Sequence, residues 1–329
     1  MTSASQSRGI DAAIWLQHAW RNRLQSLFLL AAMGAFLALL SALLWGPGGI
    51  LMLVAAGVFG VALNPAVSPL WIMRLYGARP IHPRQAPQLW SLVERLTARA
   101  ELPRMPHLYY LPSSMLNAFA VGTRKQAAIA VTDGLLRDLK LREVAGVLAH
   151  EISHIRSNDL WVMGLADLFS RATHLLSLMG QFLLILNIPL VLLGLEGIDW
   201  LAILLLVFAP HISALAQLAL SRTREYDADL NAARLTGDPE GLARALAKIE
   251  RVQGGWLERI FMPGRRIPEP SLLRTHPQTD ERIARLLALK PQLHGLDGGS
   301  PARPTPGVAS ILGAPVVRRP GWHISGLWY

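Results

Sequence analysis

Cysteine is absent from this chain of 329 residues. No disulfide can form, and neither a thiolate nucleophile nor a zinc site with cysteine ligands is available. Charged residues are also scarce, at 16% of the sequence, whereas 52% of the residues are hydrophobic. This balance is too apolar for an ordinary soluble domain, and it indicates a membrane protein with a soluble portion.

Acidic residues are fewer than basic ones, 22 against 32, which gives a formal net charge of +10. Such an excess can indicate a nucleic-acid partner, but no module that interleaves basic and aromatic residues is visible, so we predict no nucleic-acid binding. The basic residues instead flank long apolar runs, which is typical of the cytoplasmic face of a membrane protein. The expected partner of these flanks is the lipid bilayer.

Four runs without a charged residue are long enough to cross about 30 Å of hydrocarbon, which takes about twenty helical residues. They span residues 26–45, 50–73, 175–195 and 200–220, and Pro65 and Pro69 interrupt the second run. We therefore predict about four transmembrane helices, arranged as two hairpins. Buried core helices are the alternative for the last two runs, but four runs of this length favour membrane spans.

The distribution of arginine and lysine predicts which side of the membrane each segment faces. Arginines precede the first run and follow the second, with none between, and the loop 196–199 contains acidic residues but no basic ones. The soluble segments are therefore expected in the cytoplasm. The predicted division is 1–73 with the first hairpin, 74–158 soluble, 159–220 with the second hairpin, 221–292 soluble, and 293–329 as a flexible tail rich in glycine, proline and serine.

Segment 74–158 combines an amphipathic helix at 88–100 with three short strands. The strands are predicted at 107–111, 118–121 and 127–131, and a polar hairpin turn separates the last two. Together with the apolar helices, these elements predict an α+β fold that is mainly α-helical and contains a small β-sheet.

A His-Glu-x-x-His pattern organises the segment 74–158. It lies in the run 141–155, whose apolar residues recur at helical spacing. Residues four apart share one face of a helix, so His150 and His154 can bind a single metal ion. Glu151 lies beside them, where its carboxylate can take a proton from a water molecule. A pair of solvated histidines is the alternative for this pattern when it occurs alone.

A pair of acidic residues follows the last apolar run. Glu225 and Asp229 are four residues apart on a predicted helix and share a face. A catalytic metal bound by two histidines needs a third protein ligand, which Glu225 can supply. Asp229 can accept the free N–H of a ligating imidazole and fix its tautomer. Alone, such a pair is more often a solvated helix face, but downstream of the His-Glu-x-x-His pattern the metal-binding role is favoured.

Four segments resemble the HtpX-like membrane zinc metallopeptidases, a family related to the CAAX prenyl endopeptidases. The matching segments are 117–122, 150–154, 221–229, and Thr275-His276-Pro277 with Arg282-Ile283. The resemblance implies a gluzincin-type site. In such a site His150, His154 and Glu225 bind one Zn²⁺ ion, and Glu151 acts as the general base.

The resemblance also implies a cleft for an extended peptide, with His276 near it. The substrate would add as a further strand along Asn117, Ala118, Phe119 and Ala120. An ordinary sheet strand is the alternative for these four residues. His276 is the candidate second donor to the tetrahedral oxyanion, and its alternative is a loop histidine that caps the helix beginning near Gln278.

Together, the residues and the resemblance predict a multi-pass zinc endopeptidase of the inner (plasma) membrane. Its active site would face the cytoplasm, and its substrates would be polypeptides, including misfolded membrane proteins in quality control. A dedicated processing peptidase of the CAAX type and a catalytically silent scaffold are the alternatives. The scaffold is disfavoured because the base and all three candidate ligands occur together, and four spans rather than a larger helical chamber favour quality control.

Overall fold

The computed structural model describes residues 11–46, 48–49, 51, 68–195, 199–260 and 279–289. These residues are mostly α-helical and include a four-stranded sheet, so the predicted fold class, mainly helical with a small sheet, is confirmed. In chain order the elements are α1 (Ala12–Trp45), α2 (Pro69–Leu75), β1 (Arg79–Pro80), α3 (Pro87–Arg99), β2 (His107–Leu111), β3 (Ala118–Gly122), β4 (Ala127–Thr132), α4 (Asp133–Asp138), α5 (Leu141–Ser157), α6 (Asp159–Leu192), α7 (Trp200–Thr236), α8 (Pro239–Ile260) and α9 (Thr279–Ala288).

The described residues form two compact units. The first contains the described parts of segments 1–21, 67–160 and 224–329, and the second contains those of 22–66 and 161–223. The first unit holds the sheet, the motif helix α5 and the end of α7. The second unit consists of the apolar parts of α1, α6 and α7.

The sheet is mixed and has the strand order β1-β2-β4-β3. β2 runs parallel to β4, whereas β1 and β3 are antiparallel to their neighbours. All six residues of β4 are buried, as expected for a central strand covered on both faces. In this strand order β3 lies at one edge of the sheet, and it contacts α5.

Alternate residues of β4 enter two different cores. Ile129 and Val131 pack in the main core, which also contains residues of α5 such as Leu148. Ala128 and Ala130 pack on the opposite face against Met73 of α2. This alternation follows from the two-residue period of a strand, and it fixes β3 and β4 between the motif helix and α2.

The side chain of Glu143 caps the start of the motif helix α5. The N–H of Lys140 donates to Oε2 of Glu143 at 2.8 Å, which satisfies one of the backbone donors at the helix start. The helix ends before Asn158, which adopts a left-handed conformation with φ 53° and ψ 38°. Asparagine tolerates this region better than most residues. The turn redirects the chain so that α6 starts at Asp159, next to the end of α5.

Three of the described helices are long and apolar enough to cross a membrane, namely α1, α6 and α7. Four were predicted. Residues 52–67 of the second predicted span lie outside the described part of the chain, and the end of that run forms the short helix α2. The fourth span therefore stays a prediction.

Helix α7 is continuous from the last apolar run into the acidic segment. The sequence has no glycine or proline between Leu220 and Thr236, so nothing interrupts the backbone hydrogen bonds of the helix. The helix ends before Gly237, whose φ is +71°. The end of α7 thus carries Glu225 and Asp229 into the first unit.

Candidate metal centre

His150 and His154 present their Nε2 atoms to each other on one face of α5. The two atoms are 3.0 Å apart, and the rings are nearly perpendicular, at 87°. His150 is buried and His154 is half-buried. When each imidazole holds its proton at Nδ1, two lone pairs face each other at this distance. A cation bound by both nitrogens removes that repulsion.

Glu225 of α7 brings a third ligand group to the same place. Its Oε1 atom lies 3.5 Å from Nε2 of His154, and its Oε2 atom lies 3.5 Å from Nε2 of His150. Tetrahedral zinc with bonds of about 2.0–2.2 Å separates its ligand atoms by roughly 3.3–3.6 Å. The observed separations are close to this range, so the three groups can hold a metal ion and leave a fourth position for water.

Each imidazole faces a further carboxylate through its Nδ1 atom. Nδ1 of His154 lies 2.7 Å from Oδ2 of Asp159 in a well-formed hydrogen bond. Nδ1 of His150 lies 3.0 Å from Oδ1 of Asp229, but the alignment is too poor for a hydrogen bond. A carboxylate in this position favours the tautomer that leaves Nε2 free to bind a metal.

The surrounding carboxylates raise the pKa of both histidines. Burial lowers the pKa of His150, but Asp229 and Glu225 more than offset burial, and the pKa lies above its ordinary value. Burial also lowers the pKa of His154, yet Asp159 and Glu225 raise it well above the ordinary value. A metal ion that binds at these imidazoles therefore competes with protons for them.

Two buried arginines hold the carboxylates that face the histidines. Arg282 of α9 donates from Nε and Nη2 to the two oxygens of Asp229, at 2.7 Å each. Arg224 donates from Nε to Oδ1 of Asp159 at 2.6 Å. A guanidinium is always charged, so each arginine stabilises the ionised form of the carboxylate that it contacts.

Glu151 lies between the motif helix and the sheet. Its Oε2 atom accepts a hydrogen bond of 2.9 Å from the backbone N–H of Ala120 in β3. The carboxylate is therefore held at the sheet edge, adjacent in sequence to the candidate ligand His150. A base in this position can act on a water molecule beside a substrate that is bound along β3.

β3 offers backbone groups on the side that faces away from β4. Among the described strands it pairs only with β4. In an antiparallel pair, the backbone groups of alternate residues point to the partner strand and those of the others point away. Because the N–H of Ala120 points to Glu151, the backbone groups of Ala118 and Gly122 share this outward direction. An extended peptide can pair with such an edge.

The structure brings most of the predicted site residues together. His150, His154, Glu225 and Asp229 form one cluster, and Glu151 is adjacent to it. Ala118, Phe119 and Ala120 lie in β3, as the prediction of a substrate strand requires.

The other two predicted site residues are Asn117 and His276. Asn117 precedes β3, and both of its backbone groups form hydrogen bonds with Thr132. Its N–H donates to Oγ1 of Thr132 at 2.9 Å, and its carbonyl accepts from the N–H of Thr132 at 3.0 Å. His276 lies outside the described residues. Its role as an oxyanion donor stays a prediction.

Three charged residues of the cluster were given no role from the sequence: Asp159, Arg224 and Arg282. Asp159 had a local signal, because Asn158-Asp159 begins a new helix about one turn beyond His154. Arg282 is 53 residues from Asp229, and no local pattern connects them. Arg224 follows an apolar run, where a basic residue is expected at the end of a membrane span. The sequence therefore provides no separate indication of its contact with Asp159.

Comparison with known proteins identifies the family. Residues 83–290 match peptidase family M48. A protease HtpX homolog from Desulfatibacillum aliphaticivorans is 36% identical over 309 residues, covering 86% of this chain and 93% of that protein. Another, from Acaryochloris marina, is 39% identical over 290 residues, covering 83% and 96%. The crystal structure of S. mikatae Ste24p aligns with a TM-score of 0.39 and 17% identity, covering 85% of this chain and 68% of that one. The resemblance inferred from the motifs is confirmed, and the chain belongs to peptidase family M48, as an HtpX-like membrane metalloprotease.

Proposed function

We propose that this metalloprotease is a zinc-dependent endopeptidase that cleaves polypeptides at the cytoplasmic face of the inner (plasma) membrane. One observation carries the proposal. His150, His154 and Glu225 converge on one point, and the neighbouring Glu151 contacts the edge strand β3. Metal ligands, base and a surface for a peptide backbone therefore occur side by side.

The donor set supports zinc. Two imidazole nitrogens and one carboxylate suit zinc, whereas magnesium and calcium prefer sites built from oxygen ligands. When bound, zinc lowers the pKa of a water molecule and polarises the scissile carbonyl. Glu151 accepts the proton of the attacking water and returns it to the leaving amine. His276 remains our candidate for a second donor to the oxyanion.

The position of Glu151 along β3 supports cleavage within a chain rather than at its end. The strand continues on both sides of Ala120, to Ala118 in one direction and to Gly122 in the other. A peptide paired with this edge can therefore extend in both directions past the base. Recognition through backbone hydrogen bonds selects weakly among side chains. Such a cleft suits many unfolded substrates, including misfolded membrane proteins in quality control.

The charge around the membrane segments supports a cytoplasmic active site. Arg74, Arg79 and Arg84 follow the second apolar run, and all three are exposed. Basic residues next to membrane spans are enriched on the cytoplasmic side. Trp71 of α2 is also exposed, at 60%, which is typical of a side chain at the membrane interface.

The substitution Glu151→Gln tests the proposed chemistry because it keeps the shape of the side chain and removes the base. We predict that the purified variant retains one zinc ion per chain, while cleavage of an unfolded protein such as casein falls by about 100-fold or more. Wild-type cleavage should stop with a chelator and return with added zinc. Elemental analysis and a gel-based cleavage assay measure the two quantities.

Glu94→Gln is a matched control, because Glu94 is an exposed glutamate on α3 of the same unit. It should leave both zinc content and cleavage unchanged. Near-normal cleavage by Glu151→Gln with full zinc occupancy would rule out Glu151 as the base. Release of terminal residues alone, without internal cuts, would contradict the endopeptidase assignment.

A further inference from the structure

The short helix α2 exposes an apolar face. Three of its large apolar side chains are between 39% and 60% exposed: Leu70, Trp71 and Leu75. Arg74 is exposed on the same side of the helix, whereas Pro69 and Met73 lie on the opposite side and are buried. A stripe of large apolar side chains with a basic residue among them is typical of a helix that lies in a lipid surface.

The backbone at the start of α2 separates this helix from the chain before it. Ser68 has an extended backbone with ψ 127°, and Pro69 occupies the first helical position. Proline has no N–H, so it cannot donate a hydrogen bond to a preceding helical turn. α2 is therefore not the continuation of a membrane-spanning helix through Ser68. Its axis can follow the membrane surface.

The buried side of α2 packs on the sheet that contains the candidate substrate strand β3. Met73 is fully buried against this sheet. At Gly122, the last residue of β3, an added Cβ atom would lie 2.7 Å from Cγ of Pro69, so the lack of a side chain permits the close approach. Just beyond the helix, the ring centroids of Tyr76 and of Phe119 in β3 are 5.3 Å apart. These contacts hold α2 and β3 together.

The two sides of α2 determine how far β3 lies from a membrane that contacts the exposed side. An α-helix with its side chains is about 10–12 Å across. Because the exposed and buried sides are opposite, a bilayer against the exposed side is separated from the sheet by about one helix diameter. An extended chain advances about 3.3 Å per residue, so about three or four residues beyond the lipid suffice to reach the strand.

Charge and chain position favour lipid over a second protein as the partner of this face. Residues 68–93 contain Arg74, Arg79 and Arg84, all three exposed, and no acidic residue. Anionic lipid headgroups attract such a segment. α2 also lies at the end of the apolar run 50–73, which is predicted to cross the membrane, so the start of α2 is tethered next to the bilayer.

We propose that α2 lies on the cytoplasmic surface of the bilayer and holds β3 at a fixed, short distance from the lipid. Leu70, Trp71 and Leu75 enter the lipid, and Arg74 reaches the phosphate groups of anionic lipids. The substrates of β3 are then the unfolded segments of membrane-embedded polypeptides that lie within a few residues of the bilayer. The inference rests on the proposed function, because it takes β3 as the substrate strand and the cytoplasm as the side of the active site.

The absence of cysteine allows a single label to report on α2. Leu75→Cys places an environment-sensitive fluorophore on the exposed face. Glu94→Cys is the matched control, because Glu94 is exposed on α3, which packs in the main core on the other face of the sheet. Each full-length protein is reconstituted into vesicles of phosphatidylethanolamine and phosphatidylglycerol, with and without bromine on the acyl chains next to the headgroup.

We expect the label at residue 75 to emit at a shorter wavelength than the label at residue 94 and to be quenched by brominated lipid. The label at residue 94 should keep the emission of an aqueous site. If the label at residue 75 is not quenched, α2 does not contact lipid and the inference is wrong. A shorter wavelength without quenching would show that protein covers this face instead, and it would also overturn the inference.

A pair of anchored substrates tests the consequence for cleavage. In one substrate an unfolded segment directly follows a membrane-spanning helix, and in the other a folded domain separates the same segment from the helix. Wild type should prefer the first, with cuts that begin about three or four residues beyond the lipid. Trp71→Ser combined with Leu75→Ser should lower this preference about 10-fold, because two apolar side chains lose their contact with lipid. Val252→Ser is the matched control, since Val252 is an exposed apolar residue of α8 in the same unit.

The outcomes separate this inference from the proposed function. Equal cleavage of the two substrates by wild type would overturn the inference, and so would an equal loss of preference in Val252→Ser. In both cases the endopeptidase activity stands. If zinc-loaded wild type cleaved neither anchored substrate nor casein, the proposed function itself would be wrong.

Discussion

Asp159 is the carboxylate with the best-aligned contact to a candidate metal ligand. It accepts from Nδ1 of His154 at 2.7 Å, whereas Asp229 lies 3.0 Å from Nδ1 of His150 without good alignment. Asp159 is itself buried and held by Arg224. At the scale of single residues, we therefore expect Asp159 to matter for metal binding at least as much as Asp229.

Zinc binding should weaken as the pH falls, beginning above the value of about 6.5 at which a free histidine titrates. The pKa values of His150 and His154 are raised in the metal-free protein, so zinc competes with protons already near neutral pH. Asp159→Asn removes a main cause of the raised pKa of His154. The variant should shift the pH midpoint of zinc binding downward, and its affinity at high pH should fall about 10–100-fold. Competition with a metal indicator across the pH range measures both quantities.

The stability of the metal-free protein should change with pH in the opposite direction to its zinc affinity. A histidine whose pKa is raised by folding contributes stability below its unfolded pKa, and this contribution is lost as the pH rises through the folded pKa.

Asp167→Asn is the control for the zinc-binding experiment with Asp159→Asn, because Asp167 is a more exposed carboxylate on the same helix, paired with Arg171 at 2.7 Å. An unchanged zinc pH profile in Asp159→Asn would show that Asp159 does not act on His154.

At the scale of elements, the position of α5 depends on a close approach to α8. A Cβ atom at Gly146 would lie 2.8 Å from both Cα and N of Leu242. These are backbone atoms, so a larger residue cannot be accommodated by rotating a side chain. The absence of a side chain at Gly146 lets the motif helix pack directly against the backbone of α8.

Gly146→Ala should therefore destabilise the protein by about 1–3 kcal/mol, because α5 and α8 must move apart. Gly164→Ala is the control, since a Cβ atom there meets nothing within 4 Å. Alanine favours helices over glycine by about 1 kcal/mol, so the control should be neutral or stabilising. Thermal unfolding of the purified proteins measures the difference. Equal melting temperatures for the two variants would show that the contact between α5 and α8 is not tight.

The elements of the first unit were predictable because their signals are local. The three longer strands begin at the residues that the sequence predicts and end within one residue of the predicted end. The pairing of Asp159 with His154 was less accessible, because it depends on the left-handed turn at Asn158. Arg282 and Asp229 are 53 residues apart in sequence and lie on different helices, so only the tertiary packing reveals their contact.

At the scale of the whole molecule, the first unit is assembled from three separate segments of the chain. Segments of one compact unit must lie on the same side of a membrane, so an even number of crossings must separate them. Helices α6 and α7 are long and apolar enough to supply two crossings between residues 160 and 224. Between residues 21 and 67, α1 is long and apolar enough to supply one crossing. The predicted span at 50–73 would supply the other.

Reporter fusions test this topology. A reporter fused after Arg84 or after Tyr329 should be cytoplasmic, and one inserted at Gly197 should be external, because the loop 196–199 lacks basic residues. A phosphatase and a fluorescent reporter at the same positions give complementary signals. The reverse pattern would place the active site outside the cytoplasm and contradict the proposed role in quality control at the cytoplasmic face.

The zinc content of two purified variants tests the metal centre most directly. Glu225→Ala leaves two histidines, which are too few to hold zinc tightly, so we predict that zinc and activity are both lost and that added zinc restores little. Asp229→Asn removes only a partner of His150, so it should lose about 10–100-fold in affinity and recover in part with excess zinc. Full zinc occupancy in Glu225→Ala, together with zinc loss in Asp229→Ala, would contradict the assignment and place the ligand one helical turn further along α7.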